Sequence, residues 1–181
     1  MLSRQEFEQA QARAAEALRR AGIAITPEER TGIEVADFGL GDLEHCGLEI
    51  VVYVNTDRCC AKELVMLPGQ ICPEHRHPPI EGRPGKEETF RCRAGQVYIY
   101  VPGEPTTNPK AVVPADRRPY LTVWHEVVLN PGEQYTLMPN TLHWFQAGPE
   151  GAIVSEFSTR SVDEADIFTD PGVVRTPAVA Q

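Results

Sequence analysis

The chain has 181 residues, of which 41% are hydrophobic and 24% charged, with a formal charge of −9. A chain of that length can bury a sizeable core without disulfides, and no apolar run approaches the ~20 residues of a membrane span. The acidic balance, unrelieved by any basic run, disfavours nucleic acid and anionic lipid and points to a small-molecule ligand. Met1 to Arg20 contains neither an apolar h-region nor a cleavage site, so the cytoplasm is the expected compartment. The five cysteines, Cys46, Cys59, Cys60, Cys72 and Cys92, form no legible disulfide framework or zinc hook.

Ser3 followed by Glu6 reads as a capping box, and Phe7, Ala10, Ala14, Leu18 and Ala21 recur at helical spacing until Gly22. A helix over about 4–21 is expected. Thr26, Pro27 and Glu29 look like the cap, first and third positions of a second, shorter helix. Eight short runs rich in Val, Ile, Tyr and Thr follow, at 48–54, 63–67, 87–92, 96–101, 121–129, 134–138, 143–146 and 152–157. Pro-Gly, Gly and Asn turns separate them, as expected of an antiparallel sandwich or barrel. Gly103 to Pro119 reads as a long loop, 163–171 as a short helix or ordered tail, and the residues from Thr176 onward as frayed. One domain is expected: a helical segment over about 4–31, a barrel over about 33–160 and a tail over 161–181.

The chemistry concentrates in His75-Arg76-His77, with Glu88 behind it, and in His143 at the start of a late strand. In an extended segment a His-X-His pair puts both imidazoles on one face, about 6 to 7 Å apart at Cα, which suits two ligands of one ion. Gly69, His75, His77, an acidic residue and Gly95, then Gly132, Pro139 and His143, resemble the two motif blocks of the cupin family. The resemblance implies an all-β, jelly-roll-type double-stranded β-helix barrel whose interior metal is held by three His and one Glu. Glu81 stands at the more usual distance from His77, but it sits among Pro78, Pro79, Gly82 and Pro84. Glu88, in a strand-like run with Gly95 seven positions on, is the better ligand. The chain then departs from the family pattern by a Pro- and Gly-rich insertion. It departs again in the second block, where Thr141 replaces a Gly, His143 comes one position early and Ala147 replaces an Asn.

The longer strings at 53–58, 62–65, 72–79, 85–93, 97–104, 143–148 and 166–171 look like the D-lyxose ketol-isomerases, over most of the chain from about Gly22 to Pro171. That resemblance implies a homodimer that interconverts D-lyxose and D-xylulose, often also D-mannose and D-fructose. It implies Mn²⁺ at His75, His77, Glu88 and His143; the donor set also suits Fe²⁺, Co²⁺, Ni²⁺ or Zn²⁺. Such a reaction needs a Lewis acid and a carboxylate that moves a proton between C2 and C1 through a cis-enediolate. Glu156, on an apolar inward face of the last strand, is the candidate base; its bland alternative is a half-buried carboxylate paired with Arg160 or Arg93. Lys86 is a candidate for stabilising developing charge, and Asp166 for the acid or for holding distal hydroxyls. Lys62, Glu74 and Phe145 are the candidate substrate contacts. A cupin-type phosphoglucose isomerase, an Fe²⁺ dioxygenase and a non-catalytic sugar-binding cupin are the competing expectations.

Overall fold

The computed structural model describes residues 2–175. The expected frayed segment from Thr176 lies outside them. Helix α1, Arg4–Arg20, begins at the Ser3 capping box and buries Ala10, Ala14 and Leu18. It ends in a Schellman motif, in which Gly22 donates to Arg19 O (3.1 Å) and Ile23 to Leu18 O (2.9 Å). Helix α2, Pro27–Thr31, starts at the Thr26–Glu29 capping box. Both helices follow from local hydrogen bonding that the sequence spells out.

Nine strands then form one curled antiparallel sheet: β1 Glu34–Ala36, β2 Leu48–Asn55, β3 Cys60–Met66, β4 Ile71–Arg76, β5 Glu88–Val101, β6 His125–Leu129, β7 Gln134–Leu137, β8 His143–Ser158 and β9 Ile167–Phe168. The architecture is the cupin barrel. β8 organises it, pairing with β3 and β5 through its second half and with β4 and β5 through its first. Four of the expected short strands are halves of two long ones: 87–92 and 96–101 lie in β5, and 143–146 and 152–157 in β8. Gly148, which reads as a turn, lies with Gly151 inside continuous β8 as Gly95 does inside β5, and the register of β5 on β8 slips at Cys92/Ala94 and Gly95/Val97. A Cβ on Gly95 would stand 2.0 Å from Gly151 O, so the two backbones meet there only because Gly95 carries no side chain.

The barrel interior is filled by Ile50, Leu64, Phe90, Val97, Ile99 and Val154 among others. Two outer faces are covered. α1 lays Ala14 and Leu18 on Val51, Val65 and Ile153. The loop from Gly103 is not a lid over the histidines: Ala111, Val113 and Leu121 pack with Tyr98, Tyr100 and Trp144. Side chains lace it down, with buried Gln146 bonding both N and O of Val112 and half-buried Glu126 accepting from Lys110 N.

Under α1 lies a carboxylate without a partner. Glu49 alternates with core-facing Leu48 and Ile50, is buried, and has no hydrogen bond to either oxygen among the described residues. Burial pushes it up from 4.5 to about 7, with Arg13 of α1 opposing. The folded chain therefore keeps a proton that the unfolded chain loses above pH 4.5, and stability falls as pH rises from there to about 7. The full shift corresponds to about 3 kcal/mol. Glu49→Gln should raise stability at pH 8 by about 1–3 kcal/mol and flatten its slope between pH 5 and 8, read from urea midpoints. Equal slopes in variant and parent would mean that Glu49 is ionised at little cost.

Candidate metal centre and its pocket

Strand alternation brings His75 and His77 to the inner face of the sheet at the end of β4, and Cα pairing sets His75 opposite His143, the first residue of β8. The three imidazoles each offer a ring nitrogen, and these atoms lie within 4.8 Å of one another. Each ring is fixed from behind through Nδ1: His75 on Pro73 O at 2.8 Å, His143 on Thr141 O at 2.9 Å, His77 on Asp166 Oδ1 at 2.5 Å. A ring that donates from Nδ1 presents the lone pair of Nε2 inward, as a metal ligand must.

Glu88, the first residue of β5 and buried, stands beside the three histidines. Its Oε1 lies 3.0 Å from His77 Nε2 and 3.1 Å from His143 Nε2. The second approach lacks hydrogen-bond geometry, and His143 Nε2 is a buried nitrogen without a partner among the described residues. Glu81 is far from this role: it sits at φ 50 in the turn of a tight hairpin whose ends, Ile80 and Arg83, bond each other backbone to backbone.

The charges suit a cation site. Burial lowers the His75 imidazole well below its usual range, and His143 and His77 push it the same way, which leaves it neutral. Burial would lower His77 too, but Glu88 outweighs it and holds the ring at about 9, so a metal ion would displace a proton there. Burial would raise Glu88; Lys86 and His77 overcome it and keep the carboxylate ionised. An orphaned nitrogen, three anchored rings and a desolvated carboxylate therefore fit a divalent ion of the borderline kind.

Lys86 joins the two carboxylates. Its Nζ is 2.7 Å from Glu88 Oε2 and 3.0 Å from Glu156 Oε1. Burial disfavours the ammonium, but Glu156 and Glu88 hold it charged, well above its usual range. Glu156 faces inward from β8, opposite Lys62, and is buried. Neither arginine considered as its partner reaches it: Arg93 bonds Ser155 at 3.1 Å and Arg160 pairs with Asp57 at 3.0 Å. Lys86 and Ser158 (3.1 Å) take that place, both on Oε1.

The remaining candidates divide. Phe145 packs edge-on to Phe90 and lines the small interior space next to the histidines. Lys62 lines that space too, but its ammonium is engaged by Ser161 Oγ (3.1 Å) and Asp163 Oδ2 (2.9 Å). Asp166 stands behind His77 as the acceptor that orients its ring. Glu74 does not join the group. Strand alternation turns it away from His75, and its oxygens accept from Thr122 N (2.6 Å), Thr122 Oγ1 (2.8 Å), Val123 N (3.0 Å) and Thr169 Oγ1 (2.6 Å). It anchors the long loop and the C-terminal segment, and no acceptor capacity is left for a sugar. Asp163 and Arg175 also line the interior; they come from the tail and carry no local signal in the sequence.

Outside the histidines, a cavity of about 490 Å³ opens between the hairpin at 78–87 and the residues around Arg58 and Arg160. It shares His77, Lys86 and Asp166 with the interior space. A Cβ on Gly85 would stand 1.9 Å from His77 O, so this glycine lets the hairpin lie directly on the ligand strand and aims Lys86 inward.

The sequence model of D-lyxose isomerase matches residues 6–181. The chain is 65% identical to the D-lyxose/D-mannose isomerase of Thermosediminibacter oceani over 179 residues, 99% of each chain. It is 61% identical to the D-lyxose ketol-isomerase of Cohnella laeviribosi over 174 residues, 96% of each. Among solved structures, L-ribose isomerase of Cellulomonas parahominis with L-ribose superposes with a TM-score of 0.81 at 18% identity, covering 99% of this chain and 98% of that one, a likeness of fold. With 61–65% identity over nearly its whole length and a family match from residue 6 to its end, the chain belongs to the D-lyxose isomerase family.

Proposed function

We propose that the chain interconverts D-lyxose and D-xylulose, and D-mannose and D-fructose, by proton transfer at a divalent metal held by His75, His77, Glu88 and His143. The observation that carries the reading is Lys86 bridging Glu88 (2.7 Å) and Glu156 (3.0 Å), one bond from a ligand and one from an acid–base group. When bound, the ion supplies Lewis-acid polarisation of the vicinal oxygens at C1 and C2 of the open-chain sugar. Glu156 removes the proton from C2 and returns it to C1 through a cis-enediolate. With Lys86 and Ser158 both on Oε1, the carboxylate is held in one orientation. The Lys86 ammonium stays charged beside the oxygens on which negative charge develops. Phe90 and Phe145 form a dry floor that keeps bulk water from the carbanionic carbon.

D-mannose has the configuration of D-lyxose at C2 to C4 with one more carbon at the far end, so both reach the same reacting groups. Mn²⁺ is the proposed ion, on cytosolic availability and oxygen ligation by a sugar. A homodimer comes with the family resemblance. The reading is tested by stripping the protein with chelator, restoring Mn²⁺, and following D-xylulose formation from D-lyxose in argon-purged buffer. Metal-dependent product without O₂ is expected. Turnover that requires O₂ would replace this reading by a dioxygenase, and one bound ion per chain without turnover of any pentose or hexose would leave a sugar-binding protein.

A further inference from the structure

The cavity outside the histidines is larger than a pentose requires. A cavity of about 150 Å³ holds benzene, or roughly 25 Å³ per heavy atom. On that scale a ten-atom pentose fills about 250 Å³. The cavity here is about 490 Å³, room for about twenty heavy atoms, nearly twice a pentose and most of the roughly 23 of a disaccharide of two hexoses, whose last atoms would stand at the open side.

Its lining has the chemistry of a neutral carbohydrate site. Arg58, Arg83, Arg160 and Lys86 are matched in number by Asp57, Glu81, Glu87 and Asp166, and Arg160 is already paired with Asp57 at 3.0 Å. Balanced charges of that kind offer hydroxyls donors and acceptors together, and leave no net cation for a phosphate. Between them Pro78, Pro84 and Pro139 present flat apolar surface to the C–H face of a ring. Among the described residues the cavity meets the metal centre at His77, Lys86 and Asp166, so a sugar with C1 and C2 at the centre points its far end outward into this space.

We propose that the enzyme also isomerises reducing disaccharides: an aldose of D-mannose configuration carrying a neutral glycosyl group on its terminal oxygen. The proposal rests on the isomerase reading above. Its chemistry is balanced without a co-reactant. The C2 proton moves to C1, C1 is reduced as C2 is oxidised, and the glycosidic bond is untouched.

The test supplies Mn²⁺-loaded protein with D-lyxose, D-mannose and 6-O-mannosyl-D-mannose in parallel. ¹³C NMR detects the ketose C2 signal, and mass spectrometry verifies that the disaccharide stays intact. Disaccharide turnover with kcat/KM within about tenfold of D-mannose is expected. Turnover of both monosaccharides with the disaccharide unchanged would overturn the proposal and leave the isomerase reading standing. Inhibition of D-lyxose turnover by the disaccharide without a ketose product would overturn it as well, since the extension would then bind without C1 in place. If none of the three sugars reacts, the isomerase reading itself fails and this proposal with it.

Discussion

Glu88→Ala should lose the ion and, with it, the turnover of D-lyxose. On the proposed reading the carboxylate is the one anionic donor; it stands between His77 Nε2 (3.0 Å) and His143 Nε2 (3.1 Å), and its other oxygen holds Lys86 at 2.7 Å. Altering only the hydrogen bonds behind metal ligands costs roughly 10–100-fold in affinity. Removing a ligand outright should cost more, and leaves Lys86 with Glu156 as its remaining close carboxylate. Truncating one partner of a buried ion pair typically destabilises by about 3–5 kcal/mol, so Glu88→Gln, which keeps the volume and one acceptor, is the companion variant. Both should bind less than about a tenth of an ion per chain at a concentration that saturates the parent, measured by elemental analysis after gel filtration. Full metal content with full activity in Glu88→Gln would remove Glu88 from the coordination shell and return attention to Glu81.

The contrast between Glu88 and Glu74 separates what the sequence carries from what it does not. Glu88 was legible because Glu88, Phe90 and Cys92 share a face at strand period, and Phe90 and Cys92 are indeed in the barrel core. Glu74 adjoins His75 in sequence, but the same alternation turns it to the opposite face, where it bonds Thr122, Val123 and Thr169. The helices were legible to within a residue or two because capping boxes and the Gly22 stop are local. The length of β5 and β8 was not, because a Gly in a strand looks the same whether it ends the strand or bends it. β9, two residues paired to β4, and the Lys62–Asp163 contact across 101 positions depend on where the tail folds back. No local pattern encodes that return.

Glu156→Gln should keep the ion and lose the chemistry. Glutamine has the same shape and keeps an acceptor for Lys86 and Ser158, now 3.0 and 3.1 Å from Oε1, but it cannot take up a proton. General acid–base catalysis by one side chain contributes about 10²–10⁴-fold, so kcat should fall by that factor while metal content stays at the parent's value. KM should change little, because the lost interaction is one made in the transition state. In D₂O, exchange on the Glu156 carboxyl between removal and return of the proton should deliver solvent deuterium to C1 of the parent's ketose product. Undiminished turnover would assign proton transfer elsewhere, and the deuterium readout then distinguishes the two routes left. Deuterium at C1 would mean another base, whereas its absence would mean a hydride passing directly from C2 to C1.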